Sequence, residues 1–281
     1  MHNRLRVLVI GGRGYVGRAI CEALSKHDVF TFDRHGDGKS HISGNILSIS
    51  DLKNAMKNKD VVINLVGLTP VRRPKGITYE QAHVEGAKNV VKACKAMKIK
   101  KLVHMSALGA NKNSVIEYIR TKGLGEELVL HSGLNVTVFC PAIIFDKGHE
   151  LIKTALKMRW LCSFPNVKAK MRPVYRQDIA KLYALAVDGK IKERKIEVGG
   201  SQVMTLFEFV KKIINKKGFP CFPVPLFFVK IGLYLASWFH LFGITKDQIR
   251  SLCIDNTTPS KAALKYLKLT SLDDWLSRTE L

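Results

Sequence analysis

The stretch RVLVIGGRGYVGRAICEALSKHDVFTFD, residues 6–33, decides the fold. A β-branched apolar run ends in glycine, a helical pattern follows, and a second apolar run closes on an acid. Gly11, Gly14 and Gly17 fall at the strand-to-helix turn. The first permits a tight turn, the second lets a pyrophosphate approach the backbone, and the third lets helix pack close to strand. The helix N-terminus adds amide donors and a positive dipole end. Asp33, 22 residues after Gly11, stands at the end of the second strand, where a carboxylate accepts hydrogen bonds from a ribose diol. Three glycines alone are a weak signal; this strand–loop–helix–strand context makes them a dinucleotide site. Asp33 favours NAD over NADP, while Arg13 and Arg34 are placed to neutralise a 2′-phosphate. Tyr15 and Val16, inside the loop, complete the cradle.

Outward from this unit the alternation continues. SDLKNAMKN reads as a short helix with Ser50 as its N-cap, DVVINLVG as a buried strand, and TYEQ as the capping box of a long helix. KKLVHMSALGA, a helix from about Ser114 to His131, and NVTVFCPA follow. Fully apolar strands alternating with helices predict an α/β fold, a Rossmann-like doubly wound parallel sheet covered on both faces. After Pro141 the pattern shifts to helices, the short strand KIEVGG, a helix with a Thr205–Glu208 box, and a further capped helix at TKDQIRSL. The expected division is a dinucleotide-binding domain over residues 1–150 and a smaller C-terminal lobe over 151–281, partly interwoven with the first sheet.

The chain has 281 residues, 46% of them hydrophobic, enough for a sizeable core. Six scattered cysteines without a CxxC pair, and nine histidines without ligand spacing, predict reduced thiols and no zinc site. The expected location is cytoplasmic, or peripheral at the inner face of the cell membrane. Lys and Arg number 46 against 23 Asp and Glu, a net charge of +23 that favours anionic surroundings. No nucleic-acid-binding motif accompanies the charge, so nucleic acid is not expected as a partner. Lys88, Lys92 and Lys95 stack opposite Val90, Val91, Cys94 and Met97, the pattern of a solvated helix face.

EYIRTKG, residues 117–123, puts Tyr118 and Lys122 four apart on one helical face. A free phenol titrates near 10, and an adjacent ammonium brings it toward neutral pH, as a proton-transfer pair requires. A surface tyrosine and lysine produce the same spacing, so the chain order decides the reading.

In that order stand the glycine loop, the strand-end acid, NLVG at 64–67, HVEGAKNVV, LVHMSALGA and the Tyr-x-x-x-Lys pair. Together they resemble the extended and atypical short-chain dehydrogenases. The later segments YIRTKGLGE, CPAIIF, RPVYRQDIA, IEVGG and IRSLCIDNT are similar to one branch, that of the accessory subunit of respiratory complex I and its prokaryotic epimerase-like homologues. The resemblance covers nearly the whole chain and implies NAD or NADP as cofactor. Gly11, Gly14, Gly17 and Asp33 would hold pyrophosphate and adenosine. Gly44, Asn45 and Ile46 would lie near the adenine, and Asn64, Val66 and Gly67 beside the ribose. Tyr118, Lys122 and Ser106 match the catalytic positions, and the segment from Pro141 to Ile143 lies beside the nicotinamide. Two departures stand out. The hydroxyl expected just past Ser106 is missing, with Ala107 and Leu108 following it. Cys140 stands where many sugar-nucleotide enzymes carry an arginine.

Two functions follow. One is an oxidoreductase or nucleotide-sugar epimerase or dehydratase acting on a nucleotide-linked or quinone-like substrate. The other is a non-catalytic dinucleotide-binding protein docked on a membrane respiratory complex. The stretch PLFFVKIGLYLASWFHLFGI, 225–244, bears on the second: Lys230, Tyr234 and Ser237 form a polar stripe that argues against a span and for a buried or interfacial helix. Arg72, Arg73 and Lys75, in the loop after NLVG, suit substrate phosphates, a partner or solvent.

Overall fold

The computed structural model describes residues 4–35, 40–68, 76–157, 159–161, 163–225 and 254–281. The chain divides into two interleaved units. The first comprises Met1–Pro141, Arg176–Val198 and Ser260–Lys268; the second comprises Ala142–Tyr175, Gly199–Pro259 and Leu269–Leu281.

The first unit is built on a seven-stranded sheet among the described residues: β1 (Arg6–Ile10), β2 (Asp28–Asp33), β3 (His41–Ser43), β4 (Val61–Asn64), β5 (Lys101–Met105), β6 (Val136–Pro141) and β7 (Lys195–Val198). Their order is β7-β6-β5-β4-β1-β2-β3, and every pairing is parallel. The order reverses between β1 and β4, which opens a crevice at the carboxyl ends of those strands, where open α/β sheets bind ligands. Val7, Leu8, Val9 and Ile10 are fully buried, as expected for a central strand covered on both faces.

The helices are α1 (Tyr15–Ala23), α2 (Ile49–Met56), α3 (Gly86–Ala96), α4 (Glu117–Leu130) and α5 (Arg176–Val187). Helix α1 packs on α5, while α2, α3 and α4 pack in sequence as a layer. One core cluster runs from Leu8, Ile10 and Phe32 through Leu52 and Met56 to Val90, Cys94 and Val138. The cap of α2 is Ser48, not Ser50: Ser48 Oγ accepts from Asp51 N–H at 3.2 Å, and Ser50 lies inside the first turn against it. The Asp51 carboxylate accepts from Asn45 N–H at 2.9 Å rather than from the Ser48 N–H, so the cap is one-sided and set two residues earlier than the apolar pattern suggests. The Thr78–Gln81 capping box forms, each side chain meeting the other's backbone N–H. Its first turn, Glu80–Glu85, is a π-helix that passes into α3.

The second unit has its own core, in which Phe145 meets edge-on both Trp275 and Phe209 of the helix Leu206–Lys216. The Thr205–Glu208 capping box closes that helix's first turn. Asp146 accepts from Trp275 Nε1 at 3.1 Å, satisfying the buried indole. No helix among the described residues is long and apolar enough to cross a membrane. The basic loop with Arg72, Arg73 and Lys75, the apolar stretch beyond Pro225 and the TKDQIRSL helix lie outside the described residues.

Candidate active site

The loop after β1 has the conformation its glycines predict. Gly11 has φ +84°, a left-handed backbone that glycine adopts without strain. A methyl group at Gly17 would run into the carbonyl oxygen of Gly11 and lie 2.6 Å from that of Gly12. A methyl at Gly14 would meet only Gly11 O, at 3.1 Å. The third glycine is therefore demanded by packing, and the second keeps the mouth of the loop bare. Gly14 is the N-cap of α1, and no side chain caps that first turn. This bare turn fits the pyrophosphate of a nicotinamide dinucleotide.

The Arg13 backbone N–H donates to Asp33 Oδ2 at 3.3 Å, so loop and strand-end acid meet as expected. Burial raises the Asp33 carboxyl above its usual range, against the pull of the Arg13 amide and guanidinium. Arg13 Nη1 reaches His35 O at 2.8 Å, which lays the guanidinium over the end of β2; Arg34 is exposed beside it. Tyr15 is fixed by Arg176, whose guanidinium lies 4.8 Å from the Tyr15 ring centroid and donates to its carbonyl at 3.1 Å. Val16 is half-buried and Gly17 buried.

The adenine-side residues are more committed to the fold than the sequence suggests. Asn45 Oδ1 accepts from Leu47 N–H at 3.0 Å, and Ile46 is buried in the core. A methyl on Gly44 would collide with the Phe32 ring. Asn64 is buried, donating to His104 Nδ1 at 3.2 Å and accepting from Val66 N–H at 3.2 Å. Pro141 ends β6 and its carbonyl accepts from Leu108 N–H; Ile143 belongs to the second unit and packs on that unit's core.

Tyr118 and Lys122 share α4, as their spacing predicts. Lys122 is 7% exposed, and its Nζ donates to Met105 O at 3.0 Å. It also approaches Gly67 so closely that a methyl there would lie 2.8 Å from Nζ. Burial lowers the lysine to about 8, opposed by Cys140 and Glu126. The half-buried Tyr118 ring meets His83 and Tyr79 edge-on, at 5.8 and 5.9 Å between centroids. Burial and Tyr79 push its phenol up to about 12, so it is protonated at neutral pH.

Three residues that the motifs did not single out organise this site. His83 Nε2 accepts from Leu68 N–H at 2.9 Å, and its Nδ1 lies 2.9 Å from Thr121 Oγ1. The Thr121 hydroxyl proton goes to Glu117 O at 2.9 Å, which assigns the imidazole proton to Nδ1. His83 thereby ties α4 to the loop carrying Gly67. Burial, with Lys122 nearby, lowers it to about 2; the same causes bring His104 to about 3.

Glu126, one turn beyond Lys122, is 6% exposed and accepts from Ser106 Oγ at 2.5 Å and Cys140 Sγ at 3.3 Å. Lys195 of β7 closes the group at 2.5 Å from Oε1. Ser106 has one hydroxyl proton, and Glu126 holds it. A cavity of about 480 Å³ opens on this side, lined by Ala107, Asn111, Lys112, Glu126 and Lys195 and by no residue of the glycine loop.

The bare glycine turn, the acid ending β2 and a buried lysine at the β4–β5 edge together define a nicotinamide-dinucleotide-binding Rossmann domain. A family model described as NAD(P)H-binding matches residues 11–189, and the chain belongs to that family. Its relatives agree with the extended short-chain dehydrogenase resemblance. The chain is similar to the mitochondrial NADH dehydrogenase [ubiquinone] 1 alpha subcomplex subunit 9 of Mus musculus, 24% identical over 280 residues that cover 90% of this chain and 72% of that one. It is also similar to the mitochondrial NADH-ubiquinone oxidoreductase 40 kDa subunit of Neurospora crassa, 25% identical, with 73% of this chain and 58% of that subunit covered. The chain thus spans little more than half the length of the Neurospora relative. Among solved structures, the NADPH-dependent quinone oxidoreductase QOR2 of Escherichia coli, complexed with NADPH, superposes with a TM-score of 0.74 at 16% identity, covering 97% of this chain and 99% of that one. That likeness concerns the fold.

Proposed function

We propose that the chain is an NAD(P)-dependent oxidoreductase that reduces a carbonyl or quinone-like oxygen, with Tyr118 as the proton donor. The observation that carries this reading is the buried Lys122, held between Met105 O and Gly67 one helical turn from a protonated phenol. Bound, the dinucleotide would supply the hydride. Tyr118 gives its proton to the substrate oxygen as negative charge develops there, and Lys122 is the cation that steadies the resulting phenolate. At about 12 the phenol keeps its proton at neutral pH, the state a proton donor in reduction requires. Asp33 makes NAD the preferred cofactor, and Arg13 leaves NADP accessible.

The test is oxidation of NADH and NADPH against a panel of quinones and nucleotide-linked carbonyl compounds. Tyr118→Phe is expected to lose at least about a hundredfold in kcat, the scale of one general acid, with cofactor affinity unchanged. Full activity in that variant removes Tyr118 from the chemistry.

A second reading is favoured by the Ser106–Glu126 bond, which keeps that hydroxyl from a substrate oxygen. In it the chain is a non-catalytic dinucleotide-binding accessory protein held at a membrane complex; its mitochondrial relatives are named as subunits of larger assemblies. It is supported if either dinucleotide raises the melting temperature while no member of the panel is turned over.

A further inference from the structure

The outer face of the α2–α3 pair is a lysine field. Lys53 and Lys57 at α2, Lys88, Lys92 and Lys95 on α3, and Lys98 just after it are all exposed. None of the six enters an ion pair among the described residues, whereas neighbouring Lys100 is paired with Asp60 at 2.8 Å. Helix α3 contains no acid, and Asp51 of α2 is turned toward Asn45 N–H at 2.9 Å. Glu80 and Glu85 lie in the π-turn before α3, with Glu85 one turn ahead of Lys88. The two helices are locked in register where Cys94 Sγ meets Met56 Sδ at 3.9 Å and Asn89 Nδ2 donates to Leu47 O at 3.1 Å. Their lysines are therefore carried on one helix pair tied together at two points.

The composition of this face selects its partner. Every cation is lysine, a hydrated point charge without the planar fork that reads a carboxylate or a base edge. No large exposed hydrophobic or aromatic side chain lies on either helix. A protein interface would be expected to carry aromatic, methionine or arginine anchors and to be poor in lysine. Binding of single-stranded nucleic acid would call for stacking rings. An anionic bilayer requires only a dense positive face within a Debye length of its headgroups.

We propose that the α2–α3 lysine face is an electrostatic docking surface for an anionic phospholipid bilayer. It sits on the opposite side of the layer from β4 and β5 side chains and uses none of the dinucleotide-site residues, so it is independent of the activity proposed above.

The test is co-sedimentation of the full chain with phosphatidylcholine vesicles and with equimolar phosphatidylcholine–phosphatidylserine vesicles at low and high salt. The variants are Lys88→Gln/Lys92→Gln/Lys95→Gln and a control, Lys181→Gln/Lys190→Gln/Lys261→Gln, which removes the same charge elsewhere. Each lysine near an anionic membrane contributes about fivefold in binding, so the first triple variant is expected to lose about a hundredfold and the control much less. Retention of the dinucleotide-induced rise in melting temperature shows that both variants are folded. Equal loss in the two variants, undiminished binding of the first, no binding of the unaltered chain, or binding to RNA in place of vesicles would each overturn the proposal.

Discussion

Acid should destabilise this protein well above the range in which carboxylates titrate. His83 and His104 are buried, 3% and 4% exposed, and neutral, one held by Leu68 and Thr121 and the other by Asn64. Burial and the Lys122 charge bring them from 6.5 to about 2 and about 3. The sign follows directly. Above 6.5 both folded and unfolded chains carry neutral rings, and the pair contributes no pH dependence. As pH falls below 6.5 the unfolded chain takes up two protons that the folded chain refuses, so stability declines. Each ring costs about 1.4 kcal/mol per pH unit, which makes about 4 kcal/mol for the pair between pH 6.5 and 5. That is a large part of the 5–15 kcal/mol typical of a domain. Denaturant unfolding at closely spaced pH values reads the slope directly. His149, also lowered by burial, adds to the total, so the difference between unaltered chain and variant is the informative quantity. His83→Gln should roughly halve the pair's slope. A stability that stays flat from pH 7 to 5, or histidine ring resonances that titrate near 6.5 in the folded state, would show that the two rings are not held neutral by burial.

Lys122 predicts an opposite limb. Its folded value of about 8 lies below the ordinary 10.5, so stability should rise as pH climbs from 8 toward 10.5, by up to about 3 kcal/mol, and Lys122→Met should abolish that rise in alkaline unfolding curves. Lys195→Ala leaves Glu126 buried with only Ser106 and Cys140 as donors. Because Lys195 is 41% exposed, the expected loss is about 1–3 kcal/mol by denaturant unfolding, smaller than for a wholly buried pair. Adding Glu126→Gln should recover most of it; no recovery would mean that the lysine acts through packing alone.

Much of the first unit was readable in the chain because its signals are local. The glycine loop, the apolar strands and the Thr78–Gln81 capping box each depend on residues within a few positions, and the parallel sheet follows from their alternation; the three-residue edge strand His41–Ser43 is too short to give such a signal. The cap of α2 was misplaced by two residues because Ser48 and Ser50 both precede an apolar run, and only the Asp51 N–H chooses between them. The fate of Ser106 was not readable. It depends on Glu126, twenty residues on, and on Lys195 from a strand that joins the sheet only after a long excursion into the second unit. His83 left a fainter signal: it sits in the HVEGAKNVV segment, but its meeting with Tyr118 and Thr121 arises from the packing of the π-turn on α4. The tyrosine–lysine spacing correctly put both residues on one helix face. It did not reveal that burial, with Tyr79 alongside, would leave the phenol high.

Dinucleotide binding at the glycine loop is tested most directly by calorimetric titration of the chain with NADH and NADPH, beside the variant Gly17→Ala. A methyl at that position meets two backbone carbonyls and forces α1 away from β1, at a cost of about 1–3 kcal/mol in stability. One dinucleotide site per chain is expected, lost or severely weakened in Gly17→Ala while the variant remains folded. Absence of binding by the unaltered chain, or equal affinity in a folded Gly17→Ala variant, would contradict that expectation.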